Sequence, residues 1–271
     1  MNSPAYWEGV ACAWQARWRD RLWRSVSDAQ HLLLLRRWGV DTHVCYALKT
    51  DLFDEAATGA LGQALAADAT CLLGIDLAMT TVRAAAQRLR PGSLLVADVR
   101  ALPLASDSIG LVVSNSTLDH LDTPEEIMSA IRELARVLAA DGHLLVTLDN
   151  PQHPLLWLRA RTPWLGRRLG LVPYSTGATL SMSALARACA DAKLTVIASG
   201  TLCHSPRVLA VWVGRFLKSR SRVAQRAYHR ALLAFERLAQ WPTHLLTGRY
   251  VAVLATKPES SLDSPPGDQP C

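Results

Sequence analysis

The chain has 271 residues, half of them hydrophobic, which is enough for one large domain or one domain with a cap. Its net charge of +6 is segregated: residues 1–150 hold 13 Lys and Arg against 18 Asp and Glu, residues 151–249 hold 15 against 2, and residues 250–271 hold 1 against 3, so the second half is expected to meet something anionic. Six cysteines, with no CxxC pair and no ligand-like spacing to histidine, indicate neither a zinc site nor a disulfide framework, and the expected home is a reducing cytoplasm.

In chain order, residues 1–39 come first as an expected N-terminal helical cap. Their opening run has no uninterrupted apolar core after a basic start, so it does not read as a secretory signal. Trp7, Trp14 and Trp18 recur at helical spacing beside Arg17, Arg19, Arg21 and Arg24. Two readings stand: a helix packing its tryptophans on the main domain, and a cap over a substrate. From 43 the chain alternates. Apolar runs at 43–49, 71–76, 93–98, 109–115 and 143–149 suit buried strands, and helical patterns fill Glu55 to Ala66, Met79 to Leu89 and Pro124 to Leu138. The last helix has Thr123 as N-cap, Pro124 at its first position and Glu126 three residues after the cap, with Ile127, Ile131, Leu134 and Leu138 on one face. Asp141-Gly142 then turns the chain. Such alternation implies right-handed crossovers, a parallel sheet and a Rossmann-like α/β core over roughly 40–150.

Ligands bind such sheets outside the carboxyl ends of the strands. Those ends carry Lys49-Thr50-Asp51, Asp76, Asp98, Ser114-Asn115 and Asp149-Asn150. An aspartate ending the second strand can accept from both hydroxyls of a ribose, and Asp76 fits; it also fits as a cap for the helix that follows.

The stretches GIDLAMTTVRAA, VADVRALPLASDSIGLVVSNSTLDHL and RELARVLAADGHLLVTLDNP resemble the successive motifs of class I S-adenosylmethionine-dependent methyltransferases, over about residues 45–151. The resemblance implies that Asp76, with Leu77 beside it, binds the cofactor ribose, that Asp98 and Val99 recognise the adenine, and that Ser114-Asn115 lines the methionine side. It also implies a seven-stranded, mostly parallel sheet with helices on both faces, completed by 194–200 and 250–256, the last pair antiparallel. The expected organisation is then a methyltransferase domain over 40–257, containing a basic helical insertion at 204–249, and a polar, proline-rich tail at 258–271 that reads as disordered.

The first motif departs from the family. Where an acidic residue and a glycine-rich turn are usual, this chain has Lys49-Thr50-Asp51, with Gly59 and Gly62 too far along to form the turn. Asp51 can accept from the cofactor's ammonium and Thr50 can supply a hydroxyl. A lysine there would repel the sulfonium unless Asp51, Asp54 or Glu55 neutralises it. KTDLFDEA reads as a specialised first motif, with a degenerate, cofactor-free site as the alternative.

If S-adenosyl-L-methionine is the cofactor, methyl transfer needs orientation, desolvation and a base, and no metal. Asp119 and His120 are the candidate catalytic pair, His120 as proton acceptor; both also fit as residues that shape the turn before Thr123. After Asn150, Arg159, Arg161, Arg167 and Arg168 interleave with tryptophans and leucines. The insertion adds nine Lys and Arg against Glu236 alone, with an apolar face at Val208, Leu209, Val211, Trp212, Val213, Phe216 and Leu217. The apolar run from Val208 to Gly214, between Arg207 and Arg215, falls far short of the ~20 residues that cross a bilayer. A basic amphipathic helix can lie on an anionic membrane, each cation adding ~1 kcal/mol, or cover the active site as a lid. The expected partner is a small-molecule or lipid-like substrate, with an anionic membrane surface as a second candidate and nucleic acid not expected, since no recognition motif accompanies the charge. The rival function is a non-catalytic, membrane-associated binding protein on the same fold. A nicotinamide-dependent dehydrogenase ranks third because GxGxxG is absent.

Overall fold

The structure is a computed structural model and describes residues 3–15, 21–89, 92–162, 177–217 and 221–259. Trp18, Arg17, Arg19, Arg167, Arg168 and the tail from 260 lie outside the described residues, as do the side chains of Trp14 and Arg21.

Seven strands form one sheet: β1 (Tyr46–Lys49), β2 (Cys71–Asp76), β3 (Gly92–Val96), β4 (Ile109–Asn115), β5 (Leu138–Asp149), β6 (Thr195–Leu202) and β7 (Tyr250–Thr256). Their order across the sheet is β3-β2-β1-β4-β5-β7-β6. The first five are parallel, and β7 runs antiparallel to both neighbours. The expected α/β sheet is therefore present, antiparallel pair included. Along the central strands, alternate residues feed opposite faces. Leu48, Ile75, Val112 and Leu144 join one apolar core, while Ala47, Leu72, Leu111 and Leu145 join the other.

Helices cover both faces. On the first lie α6 (Pro124–Val137) and α8 (Met182–Asp191). The α6 start is built as the sequence dictates: the Thr123 hydroxyl accepts from the Glu126 amide at 3.3 Å, and Glu126 accepts from the Asp122 amide at 2.8 Å. Ile127, Ile131 and Leu134 are fully buried, and Leu138 begins β5. On the second face lie α2 (Arg21–Arg37) and α4 (Ala60–Asp68), whose Trp23, Leu35, Leu61 and Leu65 fill the core. α1 (Pro4–Gln15) is tied to α5 (Met79–Ala86) by Glu8, which accepts from the amide and hydroxyl of Thr80.

Several expected boundaries move. The first strand starts at Tyr46, and residues 43 and 45 before it are exposed. The third ends at Val96, where the Asp98 carboxylate accepts from the Arg100 amide at 2.9 Å and turns the chain. The single helix expected over 55–66 is two, α3 (Phe53–Ala57) and α4, broken where Gly59 takes a left-handed φ of 72° that a side chain would disfavour. After β5 comes α7 (Pro154–Arg161). The expected basic insertion forms α9 (Arg207–Leu217), α10 (Arg222–Ala234), a 3-10 segment and α11 (His244–Thr247) between β6 and β7.

Candidate active site

A cavity opens at the carboxyl ends of β1, β2 and β4, under α1 and α2. Its floor is the segment after β1, and here the structure corrects the sequence reading of Lys49. Its ammonium does not line the cavity. It is fully buried below it, 2.8 Å from Glu55 and donating to the Asp51 carbonyl. Burial opposes the charge, but the pull of Glu55 and Asp51 outweighs it and holds the lysine above its ordinary pKa. Burial raises Glu55 to about 7. The cation meets a carboxylate from inside the fold, so it need not meet the ligand. Gly62 makes this possible: its amide donates to Glu55 at 3.2 Å, and a Cβ there would come within 2.8 Å of the Glu55 side chain. The glycine missing from the turn is spent beneath it. Asp54, the other expected neutraliser, pairs with Arg24 of α2 instead.

Above this ion pair, Thr50 and Asp51 both face the cavity. The Thr50 hydroxyl lies 2.7 Å from that of Thr117 and donates to Ser114 at 3.0 Å. Ser114 is fully buried and stays off the cavity, as the support of Thr50. Asp76 and Leu77 line it as expected. The Asp76 carboxylate accepts from Ala78 at 2.8 Å and from Leu52 at 3.2 Å; it closes the turn before α5, whose N-cap is Ala78 with no side-chain cap bond, so it does not cap that helix, and it faces the cavity. Burial, with Asp51 adding to it, raises its pKa to about 7. Asp98 and Val99 line the same cavity. Arg100 grips Asp98 through Nη2 at 2.7 Å and Nε at 3.0 Å; burial raises the carboxyl, and these bonds more than offset it and leave the pKa below the usual range.

At the end of β4, Asn115 faces the cavity with a buried Oδ1 that has no hydrogen-bond partner among the described residues. Ser116 follows at a φ of 53°, strained for a residue with a side chain. Its amide donates to the Thr147 carbonyl at 2.9 Å and its hydroxyl to Asp119 at 2.7 Å. A relay supports this turn. His31 lies 2.8 Å from the Ser27 carbonyl through Nδ1, which must carry the proton, so Nε2 accepts from the Thr147 hydroxyl at 3.3 Å.

The expected catalytic pair separates. His120 lines the cavity under the Trp7 ring, centroids 4.8 Å apart. Asp119 does not line this cavity: its carboxylate accepts from Ser116 and from the Asp149 amide, and its other oxygen is 3.9 Å from His120. Burial raises its pKa. It orients the turn that carries His120. The lining also includes Trp23, Arg24 and Ser27 from α2, Phe53, Arg207 from α9 and Tyr250 from β7. The sequence named none of these as cofactor-site residues: Arg24 stood beside the N-terminal tryptophans, and Arg207 opened the basic segment that was one candidate lid.

The arrangement is rich in acceptors, as a site for a ligand bearing an ammonium, a sulfonium and ribose hydroxyls requires. The unpartnered Asn115 oxygen and the carboxylates of Asp51 and Asp76 fit that charge and donor pattern.

Residues 56–146 match the family model of the methyltransferase domain. Similar solved structures include an S-adenosylmethionine-dependent methyltransferase from Mesorhizobium loti, with TM-score 0.56, 14% identity and coverage of 83% of this chain and 96% of that one. Geranyl diphosphate C-methyltransferase from Streptomyces coelicolor A3(2) gives TM-score 0.54 and 15% identity over 83% and 76%. At these identities the likeness is one of fold. A curated protein from a Nocardioides species, a UDP-N-acetylmuramate–L-alanine ligase, is 30% identical over 193 residues, 68% of this chain. The chain spans 42% of that relative's length. No helix among the described residues is long and apolar enough to cross a membrane.

Proposed function

We propose that the chain is an S-adenosylmethionine-dependent methyltransferase acting on a small or lipophilic molecule in the cytoplasm. One observation carries the reading: Asp76 and Asp98, from the ends of adjacent strands, line one cavity with the open acceptor of Asn115. S-adenosylmethionine, when bound, supplies a methyl carbon activated by its sulfonium. The chain does the rest. Asp76 accepts from ribose hydroxyls, Asn115 and Asp51 accept from the ammonium, and Asp98 with Val99 faces the adenine. His120 takes the proton of the attacking oxygen or nitrogen. Trp7 and Trp23, from two different helices, keep water from the reacting atoms.

The test is a thermal-shift titration with S-adenosylhomocysteine. Ligand at ~100 times its dissociation constant stabilises by ~2.7 kcal/mol. Asp76→Asn with Asp98→Ala is expected to abolish the shift, and a wild-type protein that shows none refutes the proposal. The grip of Arg100 on Asp98 favours a second reading, a binding protein without catalysis, because it occupies the acceptor for the adenine amine. That reading gains if Arg100→Ala creates a shift that the wild type lacks.

A further inference from the structure

The ends of β6 and β7 are paired: Leu202 lies opposite Tyr250, and Tyr250 opposite Asp149, the last residue of β5. The whole insertion therefore leaves and re-enters the sheet at the end where the cofactor cavity opens, and α7 leaves from the same end. The first residue of α9 proves the proximity, since Arg207 lines the cavity and stands over the Trp23 ring, 5.8 Å from its centroid.

α9 has two faces. Ala210 is buried, whereas Val208, Trp212 and Phe216, at successive intervals of four, are 74%, 57% and 61% exposed. α10 packs beside it through the Tyr228 hydroxyl, which donates to the Ala210 carbonyl at 3.1 Å. On α10 the exposed stripe is basic: Arg222, Arg226 and Arg230 repeat at the same interval. A water-exposed apolar stripe next to a row of guanidinium groups suits neither water nor a protein core. It matches a bilayer surface whose acyl region takes the apolar side chains and whose anionic head groups take the arginines. Trp157 of α7 and Trp241, 48% and 60% exposed, extend the aromatic rim at this end.

We propose that the carboxyl end of the sheet docks on an anionic lipid bilayer through the α9 stripe and the α10 arginines, and that a lipophilic methyl acceptor passes from the bilayer into the cavity beside Arg207. The docking stands on surface chemistry alone; the delivery of an acceptor rests on the methyltransferase reading.

The experiment is co-sedimentation of the full chain with phosphatidylcholine vesicles, with and without phosphatidylglycerol, at low and high salt, run beside the S-adenosylhomocysteine thermal shift. The chain is expected to sediment with anionic vesicles and less so in high salt. Trp212→Glu with Phe216→Glu, and separately Arg222→Glu with Arg226→Glu, are each expected to lower partitioning at least about tenfold with the thermal shift unchanged. Absence of sedimentation, or variants that sediment like the wild type, overturns the proposal. So does a dimer dissolved by Trp212→Glu, which gives the stripe to a second copy. Equal affinity for duplex DNA, indifferent to Trp212→Glu, would also overturn it by giving the arginines to nucleic acid. Vesicle binding without a thermal shift upholds the docking and overturns the delivery step together with the methyltransferase reading.

Discussion

Lys49 shows how a cofactor loop can be held without small residues. Its ammonium is enclosed with Glu55 under the strand end, and removing one member of a buried pair leaves the other desolvated. Lys49→Met is expected to destabilise the fold by ~3 kcal/mol, and Lys49→Met with Glu55→Gln to recover a large part of that, in urea unfolding followed by circular dichroism. Equal losses in single and double variants would show that the pair does not hold the loop. Asp76 yields a second expectation. A carboxyl at about 7 in the unliganded protein offers both oxygens as acceptors to the two ribose hydroxyls only when ionised, so cofactor binding is expected to depress its pKa. Affinity for S-adenosylhomocysteine should therefore fall as pH drops below about 7, approaching tenfold per pH unit, and Asp76→Asn should flatten that slope. Calorimetric titration across that range checks it; a wild-type affinity indifferent to pH rules out a ribose role that needs the ionised carboxylate. That Asp76 and Asp98 line the cavity was legible in the sequence because strand ends in parallel sheets face ligands. The direction of Lys49 was not, because a side chain ending a strand can point to the cavity or to the core, and only its partner decides. Here that partner is Glu55, on the next helix but fixed in place by Gly62 of the helix after it.

Among the elements, α6 was readable except for Leu138, which opens β5, since a capping box and an apolar face at helical spacing both act within one segment. The break between α3 and α4 was not, although Gly59 marked it, because the apolar pattern runs through both helices. Gly62 gives the test at this scale. A methyl group there meets the Glu55 side chain at 2.8 Å and Leu89 at 2.9 Å, so Gly62→Ala should cost ~1–3 kcal/mol by overpacking and weaken cofactor binding through the displaced loop. A variant as stable as the wild type would mean that α4 can shift freely on its neighbours. The helices over the cavity were only partly legible. Helical spacing shows that tryptophans share a face but not whether that face meets core or ligand, and Trp23 does both: it is buried in the apolar core and lines the cavity. Arg207 and Tyr250 reach the site through contacts set by β6 and β7, far along the chain, which no local pattern announces.

For the whole molecule, buried ionisable groups set the response to pH, and they pull in opposite directions. Burial raises Glu55, Asp76 and Glu236 to about 7. Between the ordinary carboxyl range and 7 the folded protein keeps protons that the unfolded chain has lost, so these groups lower stability as pH rises through that window. Burial lowers His31 and His204 from 6.5 to about 4. Over nearly the same interval the unfolded chain binds protons that these buried rings refuse, so they raise stability as pH rises. A displacement from 6.5 to about 4 weighs ~3 kcal/mol by itself. Asp28 and Asp119, also raised by burial, join the carboxyl side and His153, lowered by burial, joins the histidine side, so the two sets oppose each other with the carboxyls ahead, and stability should decline modestly from about 4.5 toward neutrality. Below about 4 the compensation ends. Asp98 and Asp149 are each pushed up by burial but held lower still by arginines, Arg100 for the first and Arg249 with Arg159 for the second. Their stabilisation is present above the unfolded carboxyl range and is lost as pH falls through their folded values. His31→Gln isolates one side of the balance. Without that ring the carboxyls' lead grows by one, so urea unfolding of the variant should show a steeper decline from about 4.5 to 7 than the wild type, by close to one proton in the slope. An unchanged slope would show that His31 titrates alike in both states, which a neutral ring donating to Ser27 and accepting from Thr147 inside the core could not do.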